Sequence, residues 1–299
     1  MAKLYGALFT LSLIWGTSFL FIKLLVDPLG AWGVVFGRCL FGTVLLLLIV
    51  AFRKDWKGFK GLPLGMIILV SLLNNAIPWY LIALSETKVT SSYASLINAT
   101  TPIWTLIIGF ILFQNKLRLF QWLGIALGFF GIIILSGVDV TNIMDQSVVG
   151  LITMVGATLC YGFSTHLTKK YLINVSVTMI SVSTLTVSTI FSFIMVLFTD
   201  TSIFTMMLEP SIFGALVGLG VFGSGIAYLL YYYCIQKGSP EFASLVTYLV
   251  PISAMLWGAI ILKEEIHLSM ITGFIFILGG VYVSSKKPKE KKFPISKTA

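Results

Sequence analysis

The segment SSYASLINATTPIW at residues 91–104 occurs a second time, in altered form, as PEFASLVTYLVPIS at residues 240–253. A shift of 149 residues extends this match without a gap, so that 81–136 aligns with 230–285. A second match, at a shift of 146 residues, aligns Trp15-Gly16-Thr17-Ser18 with Tyr161-Gly162-Phe163-Ser164. Small residues and prolines recur in register, which predicts an internal repeat. The residues that align at 149 include Pro102 with Pro251, Gly109 with Gly258, Gly124 with Gly273, and Gly131 with Gly280.

The composition excludes a water-soluble protein. Of the 299 residues 58% are hydrophobic and only 10% are charged, with a mean hydropathy of +1.00. Soluble domains carry about 25% charged residues, and disordered chains are poorer still in apolar residues. The apolar residues fall into runs of about 20, the length that crosses a bilayer as a helix. We therefore predict an all-α integral membrane protein with ten transmembrane helices at 4–26, 31–52, 62–84, 89–113, 118–137, 148–168, 176–199, 211–235, 240–262 and 267–284.

The basic residues predict the orientation of these helices. If the N-terminus is cytoplasmic, 16 of the 20 Lys and Arg residues lie in cytoplasmic loops or in the C-terminal tail, and two lie outside. Lys and Arg are retained on the cytoplasmic side of membrane proteins. Both termini are thus predicted to be cytoplasmic. Since the +9 net charge is explained by topology, no nucleic-acid partner is expected.

The repeat divides the ten predicted helices into two sets of five. We assign residues 1–138 to the first repeat, 148–285 to the second, and 286–299 to a basic cytoplasmic tail. Five is an odd number, so the second repeat would be inverted relative to the first. Inverted repeats with a midplane site are typical of secondary transporters.

Three prolines are predicted hinges within the spans: Pro78, Pro102 and Pro251. Proline lacks an N–H and leaves the carbonyl four residues earlier without its helical bond. These carbonyls belong to Asn74, Asn98 and Thr247. In a membrane such groups need a polar cavity, a substrate or another partner, and a kink capped by Thr100 or Thr101 is the structural alternative.

Other candidate binding residues are polar or aromatic side chains near mid-depth. Arg38 is the one strong charge well inside a predicted span, which favours a cavity role; the alternative is an outward-reaching side chain near Asp27. Aromatic rings at this depth can cover the apolar part of a solute. The predicted substrate-binding set is Arg38, Trp15, Asn74, Asn75, Trp79, Asn98, Tyr161 and Thr247.

Some groups are interpreted as non-functional, and several chemistries lack their motifs. No Asp or Glu is placed in the core of a predicted span, with Glu86 assigned to the outside, so no proton relay of buried carboxylates is expected. Lys23 is interpreted as reaching outwards and Glu264 as a solvated loop residue. The chain has no Walker A, HExxH or GxSxG sequence. We predict no enzyme activity, no cofactor, no metal site and no obligate protein partner.

Taken together, these segments resemble the EamA family of the drug/metabolite transporter superfamily over essentially the full length. The matching features are Ile14-Trp15-Gly16-Thr17-Ser18-Phe19, Arg38, the Thr101-Pro102-Ile103 and Val250-Pro251-Ile252 segments, and Glu264 at the end of the ninth span. The resemblance implies two inverted five-helix repeats around a central cavity. It also implies transport of amino acids, other metabolites or toxic compounds, often outwards. The short basic loops and the compact repeat predict a bacterial inner-membrane protein.

The leading hypothesis is a secondary transporter that exports a small amphipathic metabolite, such as a neutral or aromatic amino acid, by alternating access. Its expected partners are that small-molecule substrate and the lipid bilayer. A multidrug or toxic-compound efflux protein is the second transporter hypothesis. A non-transporting membrane sensor or scaffold is the alternative from another class.

Overall fold

The computed structural model describes residues 2–114, 117–136, 146–238, 242–243 and 246–284. These residues form helices and no strands. The predicted tail at 286–299 lies outside the described residues. The long helices, numbered along the chain, are α1 (Ala2–Arg53), α2 (Leu64–Glu86), α3 (Ser91–Phe113), α4 (Leu119–Ser136), α5 (Gln146–Tyr171), α6 (Val177–Thr199), α7 (Pro210–Lys237), α8 (Val246–Ile261) and α9 (Leu268–Ser284). Two short helices lie between them, at Trp56–Phe59 and Ile203–Met206.

Helix α1 consists of two helices that join directly at a kink at Gly30. A straight helix of 52 residues would be about 78 Å long, far more than a bilayer is thick. At Gly30 φ is 64° and ψ is 170°, a combination that only glycine adopts readily. The separate runs expected at 4–26 and 31–52 are therefore joined by a sharp kink and not by a loop.

Helices α2, α3 and α7 are irregular near their middles. Helix α2 contains a π-helical segment at Leu72–Ala76, and α7 contains one at Gly218–Ile226. Helix α3 breaks between Asn98 and Thr101, just before Pro102. π-Helical bonding widens the turn and leaves some backbone groups without helical partners.

The last helices of the two halves, α4 and α9, pack antiparallel through glycines. Gly124 contacts Gly280, and a Cβ added at Gly280 would lie 2.5 Å from the carbonyl oxygen of Gly124. Two turns further along α4, Gly131 faces Gly273, and a Cβ added at Gly131 would lie 2.8 Å from the carbonyl oxygen of Gly273. Glycine is required at such contacts because the two backbones touch, as is common between membrane helices.

The surface is apolar, as expected of a protein that lies in lipid. Large hydrophobic side chains are widely exposed, among them Phe52 at 85% and Phe198 at 82%. Exposed apolar surface on this scale would make a soluble monomer aggregate. In the described part of the chain, six helices have the length and composition to cross a membrane, namely α1, α2, α3, α5, α6 and α7. Shorter apolar helices lie at Leu119–Ile134, Val246–Ile261 and Leu268–Ser284. The protein is thus a multi-pass membrane protein.

Candidate functional site

A cavity lies among α1, α2, α3, α5, α7 and α8, beside the π-helical segment of α2 and the break in α3. It holds about 630 Å³ of empty space, part of it open to solvent. The lining residues are Trp15, Ser18, Phe19, Ile22, Arg38, Asn74, Trp79, Ile82, Asn98, Thr101, Tyr161, Thr165, Tyr228, Tyr231, Ala243, Val246 and Thr247.

Arg38 is the charged residue of this lining, and it is held on two sides. Its side chain is 3% exposed. Nε donates a hydrogen bond of 3.1 Å to Oγ of Ser224, in the π-helical segment of α7. The guanidinium carbon lies 3.5 Å from the centre of the Trp79 ring, a cation–π contact that burial strengthens. The positive charge is therefore fixed in direction before any solute binds.

Asn74 joins three helices in the same region. Its Nδ2 donates to the hydroxyl oxygens of Tyr228 and Tyr232, at 3.3 and 3.2 Å. Its Oδ1 accepts from Oγ of Ser164 in α5, at 2.7 Å. Tyr228 in turn donates to the carbonyl oxygen of Asn74, at 2.9 Å. This is the carbonyl that Pro78 leaves without a helical partner, so a tyrosine of α7 provides the bond that proline removes.

Aromatic rings form the apolar wall of the cavity. Trp15 lies 5.3 Å from Tyr231 and 6.2 Å from Tyr228, measured between ring centres. Trp79 meets Tyr228 edge-on at 5.4 Å. The indole nitrogen of Trp15 donates to the carbonyl oxygen of Gly223, at 3.2 Å. Edge-to-face rings that are tethered in this way make a rigid surface suited to an apolar or aromatic group.

The break in α3 adds a polar group to the lining. Oγ1 of Thr101 donates to the carbonyl oxygen of Asn98, at 2.7 Å, so a neighbouring threonine caps the carbonyl that Pro102 releases. The side-chain oxygen of Asn98 is buried and has no hydrogen-bond partner in the described residues. An unpaired buried acceptor is costly. Pro251, by contrast, lies inside α8, which continues through it.

Seven of the eight predicted binding residues line the cavity, and Asn75 does not. Asn75 is fully buried beside Asn74 and has no hydrogen-bond partner in the described residues for either side-chain polar atom. Sequence reasoning missed Tyr228 and Tyr231 as lining residues. Their spacing of three places them on one face of a helix, which was the available signal. Nothing in the local sequence pointed to Ser224 as the partner of Arg38.

Glu86 was assigned to the outside from its position in the sequence, but it is buried within the protein. Glu86 ends α2 and is 0% exposed, and both of its carboxylate oxygens lack hydrogen-bond partners in the described residues. Nζ of Lys23 donates to the carbonyl oxygens of Glu86 and Val89, at 2.5 and 3.3 Å. Lys23 therefore points into the protein, and the expectation that it reaches outwards is wrong.

Glu264 is likewise bound within the protein. Its two oxygens accept from the backbone N–H groups of Ser91 and Ser92, at 2.8 and 3.0 Å, and from both serine hydroxyls. These serines begin α3, where free N–H groups and the helix dipole favour a negative charge. The residue expected to be a solvated loop carboxylate thus ties the segment after α8 to the start of α3.

No group of three or more metal-binding side chains occurs in the described residues. The chemistry available in the cavity is that of binding: one fixed cation, one unpaired amide oxygen and aromatic walls.

Comparison with known proteins identifies the family. The sequence model of the EamA-like transporter family matches residues 3–137 and 148–286. The chain belongs to the EamA-like transporter family. Such membership makes the protein a membrane transporter with a small-molecule substrate. A transporter of this kind is not a typical enzyme.

Relatives of this EamA-like protein share most of its length. An uncharacterized inner membrane transporter of Escherichia coli, YedA, is 30% identical over 86% of this chain and 82% of its own. An uncharacterized transporter of Archaeoglobus fulgidus is 26% identical over 91% of this chain and 95% of its own. One solved crystal structure, at 14% identity, has a TM-score of 0.70 and covers 95% of this chain and 96% of that one. That similarity concerns the fold alone.

Proposed function

We propose that the protein exports a small amphipathic solute with a carboxylate group, such as a neutral or aromatic amino acid, by alternating access. The observation that carries the proposal is the setting of Arg38. Within the described residues, Nε of Arg38 donates a hydrogen bond to Ser224. The two terminal nitrogens remain to bind a carboxylate as a bidentate pair. Trp79 holds the guanidinium plane from one face.

The rest of the lining supports an amino acid as the solute. The unpaired side-chain oxygen of Asn98 can accept a hydrogen bond from an ammonium group. The rings of Trp15, Tyr228 and Tyr231 can cover an apolar or aromatic side chain. Arg38 disfavours lipophilic cations, because a fixed positive charge in a low-dielectric cavity repels them.

We also propose that the fold comprises ten membrane helices in two inverted repeats, residues 1–138 and 148–285. If α1 is divided at its Gly30 kink, the described apolar helices number ten. The family model matches both halves. The π-helical segments of α2 and α7 overlap when residues are shifted by 149, since Leu72–Ala76 then falls within Gly218–Ile226.

The glycine contacts support the inversion of the repeats. The 149-residue shift aligns Gly124 with Gly273 and Gly131 with Gly280. The contact of Gly124 with Gly280 thereby becomes that of Gly273 with Gly131, and both contacts exist. Two antiparallel helices that exchange their contacts in this way are what a two-fold axis in the membrane plane produces.

A second pair of contacts is related by the repeat in the same way. Gly16 of α1 packs against Ser253 of α8. Its equivalent at a shift of 146, Gly162 of α5, packs against Trp104 of α3, and an added Cβ would lie 3.3 Å from the Trp104 carbonyl carbon. Trp104 is the residue that the shift of 149 pairs with Ser253.

Motion between the two access states would use the irregular helices. The break before Pro102 and the π-helical segment before Pro78 lack regular bonding at mid-length, so they can bend at little cost. Pro251 is the third proposed hinge. The distribution of Lys and Arg supports two cytoplasmic termini, and the proposed location is a cell inner membrane. In this orientation the Lys23 and Glu86 end of the bundle would face outwards.

The test is counterflow of labelled amino acids in proteoliposomes that contain the purified chain. Arg38→Ala should weaken solute affinity about 10- to 100-fold, because hydrogen bonds to charged groups contribute roughly 1.5–3 kcal/mol. Arg38→Lys should restore part of it. Arg53→Ala, which alters an exposed arginine at the end of α1, is the matched control. Equal affinity in Arg38→Ala would remove Arg38 from the site. Inhibition by lipophilic cations without any amino-acid flux would favour the multidrug hypothesis.

A further inference from the structure

Glu86 is a buried carboxyl group that the proposed substrate site does not use. It lies at the end of α2, and it is absent from the cavity lining. Its side chain is fully buried, and neither oxygen has a hydrogen-bond partner in the described residues. A carboxylate anion in such a place loses its hydration without gaining a hydrogen bond, and this desolvation costs several kcal/mol. A group of this kind needs either a bound cation or a proton.

The charges that face Glu86 come from three directions. Lys23 of α1 and Arg38 beyond the Gly30 kink exert an attractive field on the anion, and Glu264 exerts a repulsive one. Lys88, two residues further along the chain, is exposed. From α5, Gly150 presents a backbone carbonyl, which accepts a hydrogen bond from Ser85.

Lys23 also decides between a metal ion and a proton. The carbonyl oxygens of Glu86 and Val89 are the ligands that a hard cation would use beside the carboxylate. The ammonium of Lys23 already binds both of them. A second full cation at this point would be repelled at contact distance. A proton on the carboxyl group removes the anion without occupying the carbonyls.

We propose that Glu86 is a proton-binding site of the transport cycle, loaded while this end of the protein is closed and unloaded when it opens. On opening, a water molecule takes the proton, the O–H electron pair stays on Glu86 as the carboxylate, and Lys23 remains an ammonium. The inference rests on the proposed alternating access.

The contacts around Glu86 explain why closure and proton binding are linked. Lys23 ties α1 to the end of α2, and Glu264 ties the segment after α8 to Ser91 and Ser92. Opening this end must separate these elements and admit water to Glu86. If the closed form binds one proton more than the open form, the ratio of closed to open changes by up to about tenfold per pH unit. The closed form gains at low pH and is lost as the pH rises.

The first test needs no substrate. Infrared difference spectra of the solubilised full chain, recorded over a pH series in H₂O and D₂O, should contain the carbonyl band of a protonated carboxyl group at neutral pH. Glu86→Gln should lose this band. Glu265→Gln, which changes an exposed neighbouring carboxylate, should retain it. A spectrum without the band, or an unchanged band in Glu86→Gln, would overturn the proposal.

The second test links the site to transport. With equal pH on both sides of the proteoliposome, amino-acid counterflow by the wild type should fall by up to about tenfold per pH unit on acidification. Glu86→Gln should stay at the low-pH level throughout, since glutamine imitates the proton-loaded form, and Glu265→Gln should follow the wild type. A pH profile that Glu86→Gln leaves unchanged would contradict the proposal. Absence of all amino-acid flux, with the infrared band lost in Glu86→Gln, would instead refute the proposed substrate and leave the proton site standing.

Discussion

Two adjacent asparagines, Asn74 and Asn75, provide a sharp test of the structure because both are buried and only one is bonded. The side chain of Asn74 bonds Tyr228, Tyr232 and Ser164, on two other helices. The side chain of Asn75 has no hydrogen-bond partner in the described residues. The variants Asn74→Ala and Asn75→Ala remove the same atoms at neighbouring positions of one π-helical segment. They should nevertheless have opposite effects on stability.

The expected magnitude follows from the number of bonds lost. Interhelical hydrogen bonds in membrane proteins contribute about 0.6 kcal/mol each, so three of them amount to roughly 2 kcal/mol. The hydroxyl groups left behind keep other acceptors, so the full penalty of orphaned groups does not apply. These remaining contacts are Tyr228 with the Asn74 carbonyl, Ser164 with the Tyr161 carbonyl, and Tyr232 with Thr184. Asn75→Ala loses no bond and removes two unpaired polar atoms, so its effect should lie between zero and a gain of about 1 kcal/mol.

The assay is reversible unfolding in mixed micelles of SDS and a mild detergent, followed by far-ultraviolet circular dichroism. The free energy of unfolding of each variant is compared with that of the wild type, after size-exclusion chromatography has shown equal monodispersity. Equal losses in Asn74→Ala and Asn75→Ala would refute the hydrogen-bond assignment. A larger loss in Asn75→Ala would show that Asn75 carries the buried network.

Three further variants test other contacts of the structure. Gly124→Ala should lower the free energy of unfolding by about 1–3 kcal/mol, because the new Cβ meets the backbone of α9, whereas Gly65→Ala, which faces open space, should cause no loss in the same detergent assay. Glu264→Gln should reduce protection of the first amides of α3 in hydrogen exchange, because an amide cannot accept all four bonds, and Glu265→Gln should leave that protection unchanged; unaltered exchange in Glu264→Gln would refute the cap. Trp79→Leu should weaken amino-acid affinity about fivefold to thirtyfold, as expected for loss of a desolvated cation–π contact of roughly 1–2 kcal/mol, and wild-type affinity in counterflow would show that the ring does not position the guanidinium.

The sequence predicted features that depend on the residue alone or on its near neighbours. Apolar runs locate the helices, because a buried backbone in lipid must bond within its own segment. Prolines locate irregular helix, because proline has no N–H to donate. Pro78 and Pro102 accordingly follow a π-helical segment and a helix break. Pro251 does not interrupt α8, which shows that proline permits a break without requiring one. Arg38 in the lining follows from the cost of exposing a charge to hydrocarbon.

Partners that lie far apart in the chain were beyond sequence reasoning. Whether Asn74 or Asn75 bonds the tyrosines of α7 depends on the phase of a π-helical turn, which no local pattern encodes. Prediction and structure differed most at the ends of the helices, because hydropathy indicates the depth of a residue in the membrane but not whether it is buried in the protein. Glu86 and Lys23 were assigned to the outer surface from their positions, yet Glu86 is buried and Lys23 donates to the carbonyl oxygens of Glu86 and Val89. Local sequence therefore determined the helices and their weak points, because hydropathy and backbone bonding act along the chain. Tertiary packing alone decided which polar groups form hydrogen bonds with each other and which are buried, because burial at a given residue depends on helices far away in the sequence.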